Sequence, residues 1–302
     1  MKKTVLVLFF VVISINAFIP VVSACTIFTA TDSETTWFAG NEDQRPNNAY
    51  YIIDTTGTYG VAYIATPWQQ WPLVMQTGIN QAGLSFDANW IPTETLNSHT
   101  ERTDPGEWPV TYMMRNAATV KQVLQMVPTF NWGTSMAYQV HFADVTGDAA
   151  VIHPGPDGEL IATRIIESYL VSTNFNLKRL PTGDYSCNRY ETATTMLSQT
   201  DEYNLDYISS ILDVTHQEGE ISTIYATIYD LSNLQIWLYI DGNYDDPINL
   251  DLVSELQKGD RQIEIIQLVP GYDKEDNWKN YLTTAVFLFA VAIFLAFVIW
   301  KR

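Results

Sequence analysis

At residues 22–31 the chain reads VSACTIFTAT, with Cys25 at the junction between an apolar leader and a strand-like run. Val22 and Ala24 suit a signal peptidase that cuts after Ala24. The cut would make Cys25 the first residue of the mature chain, with a thiol and a free α-amine on the same Cα. Because an α-amine has a pKa of roughly 8, it can serve as the base for its own side chain.

Taken alone, Cys25 is open to three interpretations: a nucleophile, a site of lipid attachment and a disulfide partner. The residues before it also fit the pattern by which bacteria attach lipid to a lipoprotein cysteine. A disulfide would use Cys187, the only other cysteine, because exported proteins usually oxidise their thiols. The rest of the sequence has to separate these interpretations.

The two ends of the chain predict its topology. Residues 1–24 begin with two lysines after the initiator and continue as an apolar run, which predicts a cleaved signal peptide. Residues 281–300 form an uncharged, mostly apolar stretch of 20 residues, long enough for a transmembrane helix. The basic residues 301–302 favour a cytoplasmic end. We therefore expect one extracytoplasmic domain over residues 25–270, a polar stalk over 271–280 and attachment to the cell membrane through the helix, which makes a lipid at the other end less necessary.

The charge of the chain excludes some partners. Four of the 16 basic residues lie in the terminal segments, so the exported part carries 12 against 34 acidic residues, a net charge of −22. This balance argues against nucleic acid, which is bound through basic patches, and against docking on an anionic membrane surface. No cluster of histidine and cysteine has metal-ligand spacing, and no glycine-rich phosphate loop or dinucleotide fingerprint is present. We therefore expect no metal and no cofactor.

Many short strands and a few helices are expected after the leader. β-Branched and aromatic runs separated by Asp, Asn and Gly turns predict strands, and an apolar repeat of helical period predicts helices. The predicted strands are 26–31, 36–39, 50–55, 59–65, 74–79, 84–89, 137–144, 149–153, 160–165, 169–173, 222–229 and 234–240, and the predicted helices are 110–127, 189–198 and 205–213. This order predicts an α+β domain with helices packed on sheets.

Four polar patches interrupt these elements. They are Gly40-Asn41-Glu42-Asp43, the segment 78–90, Thr173-Asn174 and the segment 187–191. The turn at residues 32–34 would fold the second strand back along the first and bring Asp43 near Cys25. A carboxylate at that place could orient the α-amine, although a turn residue without a catalytic role has the same pattern.

With the N-terminal cysteine, the patches resemble the choloylglycine hydrolase group of N-terminal-nucleophile amidases. That group includes bile-salt hydrolases and penicillin V acylases, with isopenicillin-N acyltransferase-like and acid ceramidase-like enzymes as relatives. The start Cys-Thr matches, Asn41-Glu42-Asp43 is similar to the group's Arg-Asn-x-Asp turn, and residues 80–84 (NQAGL) are similar to its Asn-Glu-x-Gly-Leu. Thr173-Asn174 is similar to its Thr-Asn, and Arg189-Tyr190 to its Ser-Arg-Phe. The resemblance covers most of residues 25–240 in the right order.

This resemblance implies a four-layer αββα sandwich with Cys25 as the nucleophile. Asp43 would orient the amine and support proton transfer, and Asn89 and Asn174 would bind the developing oxyanion. Arg189 would organise the charge around the nucleophile. Loss of one oxyanion donor typically costs on the order of a hundredfold in rate, and no histidine base is required.

The sequence also departs from the group. Its bile-salt branch has an arginine where this chain has Gly40, so a cation near the thiolate is missing and bile salts are a less favoured substrate. Asn89 matches only after a shift of one residue. In such a fold Cys187 would lie near Cys25, and a disulfide between them would be an inactive state.

The sequence therefore predicts an extracytoplasmic, membrane-tethered hydrolase of linear amide bonds. Its partner would be a small-molecule amide, and its reaction would pass through an acyl-enzyme on Cys25. The alternative is a non-catalytic, membrane-anchored surface or binding protein in which Cys25 is lipidated or disulfide-bonded.

Overall fold

The computed structural model describes residues 25–68, 71–179 and 187–272. The signal peptide expected at residues 1–24 and the transmembrane helix expected at 281–300 lie outside the described residues, as do the basic end and all but two residues of the stalk. Among the helices of the described ranges, none combines the length and the apolar character that crossing a membrane requires.

Within the described residues, strands form two antiparallel sheets. The strands are β1 Thr26–Thr31, β2 Thr36–Gln44, β3 Tyr50–Asp54, β4 Val61–Trp68, β5 Trp71–Asn80, β6 Ser85–Thr95, β7 Ser135–Ala143, β8 Ala149–Pro154, β9 Leu160–Arg164, β10 Tyr169–Ser172, β11 Ser222–Asp230, β12 Gln235–Ile240, β13 Ile248–Asp251 and β14 Arg261–Glu264. The six-stranded sheet has the order β10-β1-β2-β11-β12-β13, and the eight-stranded sheet has the order β14-β3-β4-β5-β6-β7-β8-β9.

Five α-helices accompany the sheets in the described part of the chain. They are α1 Pro109–Asn116, α2 Val120–Met126, α3 Asn188–Leu197, α4 Leu205–Thr215 and α5 Leu252–Gln257, with 3₁₀ turns at Val127–Thr129, Leu177–Arg179 and Ile265–Leu268. Asn204 caps α4 by accepting a hydrogen bond from the backbone N–H of Tyr207, as expected of an asparagine before the first turn.

The alternation of side chains along the strands produces four layers. Ile27 and Phe38 point into a core shared by the two sheets, where they pack with residues such as Ile64 of β4. The neighbouring Phe28 points to the opposite face, into a second core with α3 and α4. On the other sheet, Phe86 faces outward into a third core with α1 and α2. Because successive strand residues face opposite sides, each sheet buries both faces. The architecture is the α+β, αββα arrangement that the resemblance implied.

The single helix expected at residues 110–127 is wrong, because the structure contains two. Ala117 has an extended backbone and ends α1. Thr119 then caps α2 by accepting from the backbone N–H of Gln122 at 3.2 Å, and the Oδ2 atom of Asp144 accepts from Val120 N at 2.7 Å. A helix begins where side chains accept hydrogen bonds from its first backbone N–H groups. The apolar repeat over residues 110–127 therefore continues across the gap between two helices.

Three elements near the end of the domain have no counterpart in the sequence prediction. β13 pairs with β12, β14 pairs with β3, and α5 lies between them. The segment therefore adds one strand to an edge of each sheet. These strands are only four residues long, which is too short for alternation to stand out in the sequence.

Candidate active site

The acidic residues of the first patch lie inside a strand, not in the turn that the sequence predicted. β2 is paired with β1 as far as Asn41, and it runs on to Gln44 because β11 pairs with it over that end, with Asp43 opposite Thr223. Glu42 and Asp43 are consequently buried, with exposed fractions of 5% and 0%. Two carboxyl groups thus stand in the interior at the level where β1 begins.

Cys25 immediately precedes β1 and its side chain is 2% exposed. Its Sγ atom donates to Oε2 of Glu42 at 3.4 Å. Burial raises the pKa of the Cys25 thiol well above its ordinary value, and the negative charges of Glu42 and Asp43 raise it further. The thiol therefore needs a nearby proton acceptor to become a thiolate at neutral pH.

Asp43 is held by one neutral and one cationic donor. The hydroxyl of Thr223, opposite it on β11, donates to Oδ1, and Nη1 of Arg189 donates to Oδ2 at 3.2 Å. Burial raises the pKa of Asp43 to about 6, against the lowering effects of the Thr223 hydrogen bond and the Arg189 charge.

Arg189 connects Asp43 to the other elements of the site. It stands in the first turn of α3, and its Nη1 also donates to Oγ1 of Thr26 at 3.1 Å. Its Nη2 donates to Oδ1 of Asn174 at 3.3 Å. One guanidinium group therefore links the start of β1, the acidic strand β2 and the segment that follows β10.

Asn174 contacts the strand that carries Asn89. Nδ2 of Asn174 donates to the carbonyl of Trp90 at 2.9 Å, which is the residue next to Asn89. Asn89 is fully buried in β6, and neither its Nδ2 nor its Oδ1 has a hydrogen-bond partner. A buried amide without a partner costs free energy unless a ligand or water completes it, so Asn89 offers a donor to a bound group.

The structure therefore brings the predicted site residues into one region. Arg189 binds both Asp43 and Asn174, and it also binds Thr26, the residue after Cys25. Cys25 itself contacts Glu42, the residue before Asp43. Asn89 adjoins this network through Trp90. Their catalytic roles stay predictions.

Asp87 is a site residue that the sequence analysis missed. It is buried in β6, and its Oδ2 lies 2.7 Å from the place that a Cβ would take on Gly40. The position where the bile-salt branch has an arginine is thus filled by a carboxyl group from the opposite sheet. The glycine was the one signal in the sequence, because a strand glycine often marks a close approach of another group.

Glu42 and Asp87 share an environment poor in compensating charge. Burial raises the pKa of Glu42 to about 8. Burial also raises the pKa of Asp87 well above its ordinary value, and the charge of Glu42 adds to this effect. The hydroxyl of Tyr225, opposite Glu42 on β11, is buried without a hydrogen-bond partner. Because Glu42 and Asp87 are both buried and each disfavours ionisation of the other, the two carboxyl groups together favour retention of a proton at neutral pH.

The two cysteines are free thiols in this structure. Cys187 precedes α3, and its Sγ lies 3.5 Å from the hydroxyl of Thr173. The inactive disulfide state stays a prediction. Across the described ranges, no group of three or more His, Cys, Asp or Glu side chains has the arrangement of a metal site.

Comparison with known sequences finds one family whose profile matches most of the chain. Residues 29–245 match the family described as acyl-coenzyme A:6-aminopenicillanic acid acyl-transferase. A search of curated proteins finds no match.

Comparison with solved structures finds the same architecture at low sequence identity. Penicillin V acylase from Agrobacterium tumefaciens superposes with a TM-score of 0.59 at 15% identity, covering 76% of this chain and 86% of that chain. A variant of conjugated bile acid hydrolase from Clostridium perfringens gives a TM-score of 0.59 at 12% identity, covering 80% and 96%. A second variant of that hydrolase gives 0.58 at 12% identity, covering 83% and 97%. At such identities the likeness shows the fold.

Proposed function

The chain belongs to the acyl-coenzyme A:6-aminopenicillanic acid acyl-transferase family, with an N-terminal-nucleophile fold of the choloylglycine hydrolase type, and from this premise we propose that it hydrolyses linear amide bonds through Cys25. The observation that carries the proposal is the network around Arg189, which joins the neighbour of Cys25 to Asp43 and Asn174. It unites a nucleophile, an acid and amide donors, the three parts that acyl transfer needs.

The reaction begins with removal of the leader after Ala24, which gives Cys25 a free α-amine. Asp43 orients this amine, which can accept the thiol proton. The thiolate then attacks the acyl carbon, and the carbonyl oxygen becomes an oxyanion. Asn89 offers its unpaired amide to that oxygen, and Asn174 offers the second N–H of an amide whose first N–H contacts Trp90.

The acyl-enzyme is then resolved by water. The substrate nitrogen takes the proton that the α-amine accepted, and its departure as an amine breaks the C–N bond and leaves the acyl group on sulfur. Water attacks this thioester, the C–S bond breaks, and the acid product leaves with Cys25 again a thiol. If an amine enters in place of water, the same site transfers the acyl group, the reaction named by the family.

The burial of Cys25 favours this proposal over lipid attachment. If a lipid were attached to the sulfur, Cys25 would have to move out of the buried position beside Glu42 that its thiol occupies.

Candidate substrates are N-acyl amino acids, acyl-homoserine lactones, penicillin-like amides and small peptides. We further propose that the domain is extracytoplasmic and tethered by residues 281–300, as their apolar character suggests.

The proposal is tested with the full chain and a panel of N-acyl substrates. N-terminal sequencing of the purified protein should begin at an unmodified Cys25, and Cys25→Ala should abolish amide hydrolysis. Cys187→Ala is the matched control, because it removes the other thiol and should retain activity. A blocked N-terminus, or undiminished hydrolysis by Cys25→Ala, contradicts the proposal.

A further inference from the structure

The side chain of Glu42 contacts the Sγ atom of Cys25, and the backbone N–H of Asp43 also forms a hydrogen bond to the sulfur. The contact measures 3.4 Å between Sγ and Oε2, and both residues are buried. Of the two carboxyls contributed by β2, Asp43 is the one that binds the arginine. Glu42 has no ion pair with any described residue, so its contact with sulfur is not the by-product of a salt bridge.

The other oxygen of Glu42 fixes the orientation of the carboxyl group. Oε1 accepts from Nε2 of Gln44 at 2.9 Å, and the same Nε2 reaches Oγ1 of Thr66 at 3.3 Å. An amide nitrogen only donates, so Oε1 is held as an acceptor. A proton on this carboxyl group therefore belongs on Oε2, the oxygen that faces sulfur.

The carboxyl neighbours of Glu42 favour a retained proton, whereas the hydrogen bond from Cys25 favours the ionised form. Asp43 stands beside it on β2, Asp87 approaches from β6, Tyr225 lies opposite on β11, and Cys25 precedes β1. The first two carry negative charge when ionised, and the other two are neutral in their ordinary state. Because Arg189 binds Asp43, a full set of ionised carboxyls would leave this interior with excess negative charge.

We propose that Glu42 is a catalytic residue, which takes the proton of Cys25 on Oε2 and returns it to the leaving amine. The inference rests on the proposed function, since it assigns a second acceptor, besides the α-amine, in the same cysteine chemistry. The S–H bond breaks, an O–H bond forms on Glu42, and the sulfur electron pair forms the C–S bond. When the C–N bond breaks, its electron pair stays on nitrogen, which takes the proton from Oε2.

The second half of the reaction uses the same proton acceptor. Water gives a proton to Oε2 as its oxygen bonds to the acyl carbon. The C–S bond then breaks, and sulfur recovers the proton from Glu42. The thiolate thus exists beside a neutral carboxylic acid that donates to it, which supplies the stabilisation that a cation at position 40 would otherwise give.

The test measures alkylation of Cys25 by iodoacetamide as a function of pH. The full chain carries Cys187→Ala, which leaves Cys25 as its only thiol. With Glu42 present, the pair keeps one shared proton once Glu42 has ionised, above about pH 8, so the rate should vary little with pH between about 8 and 9. In Glu42→Gln the proton must go to solvent, so the rate should rise about tenfold per pH unit, and kcat/KM should fall by roughly a hundredfold.

Two comparisons make the outcome decisive. Glu42→Asp keeps a carboxyl group and should retain a larger part of the rate than Glu42→Gln, and it stands in if the amide variant does not fold. Glu167→Gln, which changes an exposed carboxylate, should behave as the parent protein.

If Glu42 does not accept the proton, its substitution should change the alkylation rate in the opposite direction. If Glu42 is only a neighbouring charge, its removal lowers the pKa of the thiol and speeds alkylation, which overturns the inference. A flat profile that persists in Glu42→Gln also overturns it, because the α-amine would then be the acceptor. If the pH profile changes as expected but the parent protein hydrolyses no amide, the proposed function fails and the proton acceptor stands.

Discussion

Gly40 shows how one residue changes the charge of this site. The absence of a side chain at Gly40 makes room for Asp87, whose oxygen lies 2.7 Å from the missing Cβ. With Glu42 and Asp43 the site then holds three buried carboxyl groups. Arg189 binds one of them, so a retained proton, and not a second arginine, lowers the negative charge near sulfur.

A retained proton makes stability depend on pH. Burial raises the pKa of Glu42 in the folded protein to about 8 from 4.5, so between these values the native state binds more protons than the unfolded state. The free energy of unfolding therefore decreases as pH rises from about 4.5 to about 8. In Glu42→Gln this loss should be absent, and the variant should gain stability relative to the parent by roughly 1.4 kcal/mol per unit of pKa shift.

Urea unfolding of the parent and Glu42→Gln at several pH values measures the difference. The two free energies should be nearest at pH 4 and furthest apart at pH 8. Glu167→Gln serves as the control for loss of one surface carboxylate. A stability difference that stays constant across this range would mean that Glu42 ionises in the folded state as it does in the unfolded chain.

At the level of elements, helix boundaries depend on caps more than on apolar repeats. α1 and α2 share one apolar face over Val110, Met113, Val120 and Val123, all packed in one core. The break between them is set by Thr119, whose hydroxyl accepts from Gln122 N. The two helices therefore pack on one core as separate elements.

Thr119→Ala should destabilise the protein by about 1 kcal/mol, because it removes a side-chain cap from α2. Thr195→Ala is the matched control. It removes a threonine hydroxyl from an exposed position inside α3, where alanine has the better helix propensity, so its stability should equal or exceed that of the parent. The measurement is the free energy of unfolding in urea. A loss of equal size in both variants would contradict the role of the cap.

The strands that the sequence predicted well are those with local signals. β1 was expected at its observed bounds, and the hairpin of β11 and β12 was expected within one residue at each end, because β-branched and aromatic residues alternate between clear turns. Elements held by distant pairing were missed. β14 exists because Arg261–Glu264 adds to the edge of β3, far away in sequence.

The site residues divide in the same way, into those with a signal in the sequence and those defined only by contacts between distant segments. The resemblance to a family's motifs was enough to select Cys25, Asp43, Asn174 and Arg189 for one region, because motifs report residue types in sequence. The contact of Glu42 with the thiol, and the approach of Asp87, could be identified only from the three-dimensional structure. Glu42 lies in a strand predicted as a turn, and alternation along β6 gives Asp87 no distinction from an ordinary strand residue.

At the level of the whole molecule, the site depends on how the two sheets pack. Cys25 precedes β1 and Glu42 lies in β2 of the six-stranded sheet, whereas Asp87 and Asn89 belong to β6 of the other sheet. The bond from Asn174 to the Trp90 carbonyl joins the two sides. A close-packed interior transmits small shifts, so substitutions in the core between the sheets should affect the geometry around sulfur as well as stability.

Two hypotheses compete for how this molecule would be held at a membrane. An apolar stretch of 20 residues at 281–300 is long enough to span a bilayer, whereas a lipid would hold the protein through Cys25. A chain that ends after residue 280 should therefore move from the membrane fraction to the soluble fraction of the cell, as measured by sedimentation and immunoblotting. Deletion of residues 301–302 alone is the matched control and should leave the protein in the membrane, because the apolar stretch is intact. If the shortened chain stays in the membrane and Cys25→Ala releases it, the anchor is a lipid on the sulfur, and the sulfur is then not available as a nucleophile.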